Sequence, residues 1–144
     1  MTNSSHATTT ASLPRWINLG FVAAAAVNFG IIVVSRGFAP HLGVVDSLFS
    51  PAGCALIVVW GLAYLSVART VHLSPHIAAV FCLEKLFYGV AWLRGLMLYG
   101  DTLQQQPFDV AAFYQTYGVA DFGFAVFFGL VWWRLWLRRW WQAR

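Results

Sequence analysis

Four long apolar stretches, separated by short polar interruptions, make up most of the chain. The first runs from Ile17 to Ser35 between Arg15 and Arg36, and its nineteen residues would rise roughly 29 Å as a helix, close to the thickness of a bilayer's hydrocarbon core. Pro14 suits a first helical turn and Gly37 an exit. The second stretch opens at Ser50-Pro51, an N-cap residue followed by one that loses no hydrogen bond at the first helical position, and runs past Ala68 to Arg69. The third opens in the same way at Ser74-Pro75 and reaches Tyr99, with Gly100 as the expected stop. The fourth begins near Pro107 to Asp109, with Asp109 as the expected cap, and continues to about Trp141. No stretch alternates with a period of two, and a membrane strand would need a closed barrel.

The pattern therefore predicts an all-α, polytopic membrane protein. Its four transmembrane helices, at about 14–36, 51–70, 75–99 and 108–141, form a single antiparallel bundle over residues 14–141. Residues 1–13, small and polar, read as a disordered tail, and 142–144 as the C-terminal end. A cleaved signal peptide would need a basic start and a short apolar core. Here the first basic residue is Arg15 and the run after it is long, so the first helix reads as retained.

Composition sharpens the class. Charged residues make up 10% of the chain, against about 25% in soluble domains. Their placement gives an orientation. Arg15, Arg69, Arg134, Arg138, Arg139 and Arg144 fall at one end of the helices, and Arg36 and Arg94 at the other. Six against two predicts both termini in the cytoplasm and an inner-membrane location, with the 37–49 and 100–106 loops facing outward. The net charge of +4 follows from this bias and calls for no nucleic-acid partner.

The candidate chemistry lies in the third helix, where Glu84 and Lys85 stand side by side as the only Glu and the only Lys of the chain. Each costs roughly 2.5–3.5 kcal/mol at bilayer depth unless it is paired, faces a protein interior or serves a function. Membrane helices pack through small residues, and these form stripes here: Gly20, Ala24 and Asn28; Gly53, Ile57, Gly61 and Ala68 with Tyr64 alongside; Ala78, Cys82, Lys85 and Gly89; Gly118, Asp121, Ala125 and Gly129, extended back to Tyr114 and Tyr117. Asn28, Lys85 and Asp121 all lie on such stripes, which predicts a Lys85–Asp121 ion pair in the interior. Glu84 is rotated about 100° from Lys85 and would need another partner: Asn28, Tyr64, a water, a second subunit or a ligand. The candidate ligand- or proton-binding set is Glu84, Lys85, Asp121, Asn28, Tyr64 and Tyr117. The plainer alternative is a staple that fixes helix register.

Other signals carry less. His72 and His76 are interrupted by Ser74-Pro75 and lack further ligands, so no metal is expected. No histidine falls at mid-membrane to ligate a haem, and no other cofactor is expected. Cys54 and Cys82 fall towards opposite faces, too far apart for a disulfide. The run from Trp132 to Trp141, rich in Trp and Arg, reads as an anchor at the membrane interface, with Trp132, Trp136 and Trp140 on one face.

The runs Phe49-Ser50-Pro51, Trp60-Gly61-Leu62-Ala63-Tyr64-Leu65 and Leu83-Glu84-Lys85-Leu86-Phe87-Tyr88 resemble those of small uncharacterised bacterial four-helix membrane proteins. That resemblance covers the second and third helices and implies no activity. In size and helix count the chain is similar to small multidrug-resistance transporters, whose membrane Glu exchanges protons for cationic substrates. That Glu is in their first helix, where this chain has Asn28. Sterol-isomerase-like proteins place acidic and aromatic residues around an apolar pocket, an arrangement open to Glu84, Asp121, Trp60 and Trp92. DoxX-like proteins share the helix count.

The leading functional expectation is a non-enzymatic membrane protein that binds or moves a small ligand or protons, with no catalytic residue assigned. Its expected partners are the lipid bilayer, a small lipophilic or cationic ligand and a second copy of the chain. The alternatives are a membrane enzyme acting on a lipophilic substrate with Glu84 as acid/base, and an accessory subunit docking through its Trp/Arg tail.

Overall fold

The computed structural model describes residues 13–37, 42–43 and 45–142. The expected tail lies outside them except for Leu13, as do Pro40, His41 and Arg144. Four helices follow one another: α1 (Arg15–Val34), α2 (Pro51–Val67), α3 (His76–Gln104) and α4 (Phe108–Gln142), with 3-10 turns at Ser47–Phe49 and Val71–Leu73. No strand occurs among the described residues. By length and composition α1, α3 and α4 can each cross a membrane, and α2, with 17 residues, is a shorter apolar helix.

The helix ends follow local chemistry. At the start of α2 the Ser50 hydroxyl accepts from the Gly53 N–H at 3.3 Å, with Pro51 at the first position. α1 closes with a paired set of backbone bonds, Gly37 N–H to the Ile32 carbonyl at 2.8 Å and Arg36 N–H to that of Val33 at 3.0 Å. This is the Schellman pattern, which needs a left-handed residue just past the helix. Arg36 takes that position with φ 56° and Gly37 follows with φ 80°, so the exit expected of Gly37 begins one residue earlier.

Three boundaries differ from expectation. α2 ends at Val67 rather than near 70, because the chain tightens into the Val71–Leu73 turn, whose Val71 is buried in the core. α3 starts at His76, with Pro75 rather than Ser74 in the cap position and no side-chain cap bond. The same helix does not stop at Gly100 but runs to Gln104, taking in five of the seven residues of the expected 100–106 loop. A helical glycine costs only about 1 kcal/mol, and Leu103 on the extra turn is buried among Val110 and Tyr114. Pro107 then ends the helix by disfavouring helical backbone before it. Asp109 lies within the first turn of α4 rather than ahead of it, and accepts from Arg36 at 3.3 Å.

α3 packs most extensively on α4, and α1 on α2. Successive contacts show α3 and α4 running in opposite directions: His76 meets Trp132, Lys85 meets Asp121 and Trp92 meets Tyr114. The small residues between them do not bring backbone onto backbone. The Trp92 ring fills the space a side chain on Gly118 would need, and Phe122 fills that of Gly89. Both sockets lie within about two helical turns of the Lys85–Asp121 contact.

The interior divides into two apolar clusters. One, towards the arginine-rich end, holds Ile17, Phe21, Phe81, Phe128 and Val131 with residues from all four helices. The other holds Leu42, Phe49, Tyr88, Tyr114 and Tyr117 towards the opposite end. Leu42 is fixed there by its carbonyl, which accepts from the Tyr114 hydroxyl at 2.8 Å. The described part of the 37–49 loop therefore closes over the helices.

Candidate functional site

Between the two clusters lies a patch of buried polar groups to which every helix contributes. α1 supplies Asn28, α2 Tyr64, α3 Glu84 and Lys85, and α4 Asp121. Lys85 sits at the centre, 3% exposed. Its Nζ donates to Asp121 Oδ1 at 2.9 Å and to Asn28 Oδ1 at 3.0 Å. Glu84 Oε1 is 3.8 Å from the same nitrogen, within ion-pair range but long for a hydrogen bond. The Tyr64 hydroxyl donates to the other Glu84 oxygen, Oε2. Nζ also lies 5.5 Å from the centre of the Tyr64 ring, close enough for a cation–π attraction.

The outer contacts complete the set. Asn28 Nδ2 donates to the Ile57 carbonyl at 3.1 Å. That carbonyl has a second lone pair beyond the one used along its own helix. Among the described residues, no buried side-chain nitrogen or oxygen lacks a hydrogen-bond partner. Full satisfaction is what makes such a patch tolerable in a low-dielectric interior.

The expected Lys85–Asp121 pair is present, and of the partners open to Glu84 it is Tyr64 that bonds it. One expectation needs correction. The step of about 100° between neighbours predicts that Glu84 and Lys85 do not face each other, yet their charged ends come within 3.8 Å. The lysine stem is long enough to swing its head between the two carboxylates, so the angle between adjacent residues does not separate their tips. Tyr117 lies beside the hydrogen-bonded set as a wall of the adjoining cavity.

That cavity encloses about 10 Å³ and is lined by Asn28, Glu84, Lys85, Tyr88, Tyr117 and Asp121, among others. This is about the space one water occupies. Tyr88, buried on its wall, was not among the predicted site residues. The signal was available, since Tyr88 stands one helical turn after Glu84 on the same face.

The two directions out of the site differ. Towards the arginine-rich end the core is a plug of aromatic rings, with Phe21 and Phe128 centres 5.0 Å apart and Phe81 within 5.5 Å of Phe128. Towards the other end the packed rings include the hydroxyl-bearing Tyr117 and Tyr114, 5.9 Å apart, with Phe49 set against Tyr117 at 4.9 Å and the Leu42 carbonyl accepting from Tyr114.

The remaining candidates sit apart. His76 accepts from Trp132 Nε1 at 3.4 Å. The carbonyls of His72 and Leu73 accept from Arg139 at 2.8 and 2.7 Å, tying the end of α4 to the turn before α3. No group of His, Cys, Asp or Glu able to hold a metal occurs among the described residues. Both cysteines are free. No family model, no curated protein and no solved structure matches the chain.

Proposed function

We propose that the chain is a multi-pass protein of the inner membrane, with four spans in an antiparallel bundle over residues 14–141 and both termini cytoplasmic. Its buried cluster holds a proton exchanged with the outward side. The length and apolar character of α1, α3 and α4 support the membrane reading. α2, at 17 residues, sits at the lower limit for a span, and the turns on either side of it lengthen the path. The arginine bias supports the orientation.

The observation that carries the proton reading is one of charge and volume together. Two carboxyl groups share one ammonium in an interior with room for about one water. With both carboxyls ionised the cluster keeps one uncompensated negative charge, which is costly away from solvent. A single added proton removes it. Asp121 holds the closer contact to Lys85, 2.9 Å against 3.8 Å, so Glu84 is the carboxyl that takes the proton. A lipophilic or cationic ligand would require the helices to part, so the cavity favours a proton over such a ligand. The outward side of the cavity is walled by the hydroxyl-bearing Tyr88 and Tyr117 beneath Phe49, whereas the rings of Phe21, Phe81 and Phe128 on the other side carry no group able to pass a proton, which favours the outward direction.

The test is infrared spectroscopy of the purified protein across pH. Glu84→Gln keeps the shape and most of the hydrogen bonding but cannot ionise. A titrating carboxyl band in the wild type that is missing in Glu84→Gln supports the reading. Identical pH series, with the variant merely melting earlier, leave Glu84 as a structural staple.

A further inference from the structure

The arginine-rich end carries a groove of about 590 Å³ between the start of α1 and the last turns of α4. That is within the range of about 300–1,000 Å³ typical of small-molecule sites. α4 forms its floor with Leu130, Trp133, Arg134, Leu137, Arg138 and Trp141, residues that recur every three or four positions and so share one face. Trp16 of α1 forms the other wall, its ring meeting Phe127 edge-on at 6.0 Å. The groove is open to the surroundings: Trp16, Leu130, Trp133 and Trp141 are all exposed, as are Arg134 and Arg138.

Among the described residues no acidic side chain lines the groove. The five acidic residues lie elsewhere, Glu84 and Asp121 in the buried cluster and Asp46, Asp101 and Asp109 towards the opposite end. Arg139 is engaged by the turn before α3, whereas Arg134 and Arg138 face the groove. Along the helix the apolar Leu130 and Trp133 come first and the two arginines follow, with Leu137 between them and Trp141 beyond. Leu130 lies deepest and Arg138 eight residues further out, about 12 Å along the axis. An anionic phospholipid likewise joins an acyl chain to a phosphate over a similar length, and the indole of Trp141 suits the interfacial depth beside its headgroup.

We propose that this groove is a discrete site for one anionic phospholipid, its phosphate held by Arg134 and Arg138 and the upper part of its acyl chain lying between Trp16 and the Leu130–Trp133 face. Arginine matches phosphate oxygens in forked geometry, and tryptophan favours the interfacial depth at which a glycerol backbone sits. The proposal rests on the membrane reading and goes beyond generic anchoring, which would engage headgroups without holding any one lipid.

The test begins with extraction of membranes by alkaline carbonate. Release of the protein overturns the membrane reading itself. Protein that stays is reconstituted in bilayers of equal parts phosphatidylglycerol and phosphatidylcholine, and native mass spectrometry then counts the lipids retained. One retained phosphatidylglycerol, in preference to phosphatidylcholine, is expected. Arg134→Gln with Arg138→Gln should lower that preference roughly 10- to 30-fold, given the attraction of each arginine to an anionic surface. Arg94→Gln, an exposed arginine at the opposite end, should leave the preference unchanged. No headgroup preference in the wild type, an equal loss with Arg94→Gln, an unaltered preference in the double variant, or a lipid-free dimer would each overturn the lipid site while leaving the membrane reading standing.

Discussion

Removing the ammonium of Lys85 should cost more than removing the charge of Asp121, although the two form one ion pair. Lys85 serves three partners, with hydrogen bonds at 2.9 Å to Asp121 and 3.0 Å to Asn28 and an ion pair at 3.8 Å with Glu84. With an effective dielectric of about 20, the attraction is on the order of 5–6 kcal/mol at the shorter ion-pair distance and about 4 kcal/mol at the longer. Desolvation offsets much of this, and breaking a buried pair costs about 3–5 kcal/mol net. Lys85→Met abandons both carboxyls and the Asn28 oxygen, so it belongs at the top of that range. Asp121→Asn leaves an amide oxygen for Lys85 to bond and leaves Glu84 within reach, so it should cost about 2–3 kcal/mol, the value of a hydrogen bond to a charged group. The double variant removes the pair together and should recover about 2 kcal/mol against the sum of the singles, roughly a 30-fold difference in the unfolding equilibrium. Reversible unfolding in mixed micelles by SDS titration, followed by tryptophan fluorescence, reads all four proteins. Additive losses, or an Asp121→Asn cost that exceeds that of Lys85→Met, would refute the three-partner account.

Two further predictions follow from the fold. A reporter enzyme active only outside the cytoplasm should be active when inserted at Gln105, the exposed turn between α3 and α4, and silent when fused after Arg144; the reverse pattern removes the orientation, and activity at both sites removes the even number of spans. Gly118→Val should destabilise by about 1–3 kcal/mol through overpacking, because the Trp92 ring occupies the space of the added side chain; adding Trp92→Leu should restore part of the loss in the same SDS titration.

Much of this architecture was legible in the residues, for reasons that differ by element. Ser50-Pro51 marked the start of α2 because capping is local chemistry, complete within four residues. The Lys85–Asp121 pair was legible because both residues lie on small-residue stripes, and neighbouring helices joined by a short turn must face each other. Gly100 misled because a glycine's local cost is smaller than what a buried Leu103 returns, and that burial depends on α4. The Tyr64–Glu84 bond stayed one alternative among several because it depends on the distance between α2 and α3, which no pattern within either helix contains. The place of Tyr88 beside Glu84 is legible from their one-turn spacing, but its part in walling a cavity is not, because a cavity exists only once the helices are assembled.

The phenylalanine plug has an electrical consequence. If a proton reaches Glu84 only from the outward side, binding carries it across part of the membrane and no further. With the cluster at about mid-span, the proton crosses roughly half the potential drop, worth about 1.2 kcal/mol per 100 mV. An interior-negative voltage would pull it inward, and the ratio of protonated to unprotonated protein would rise about sevenfold for each 100 mV. With the rings of Phe21, Phe81 and Phe128 packed on the far side, that charge displacement would be stored rather than passed through. The cluster would then behave as a small capacitor, its charge set jointly by outside acidity and by how strongly the membrane is energised.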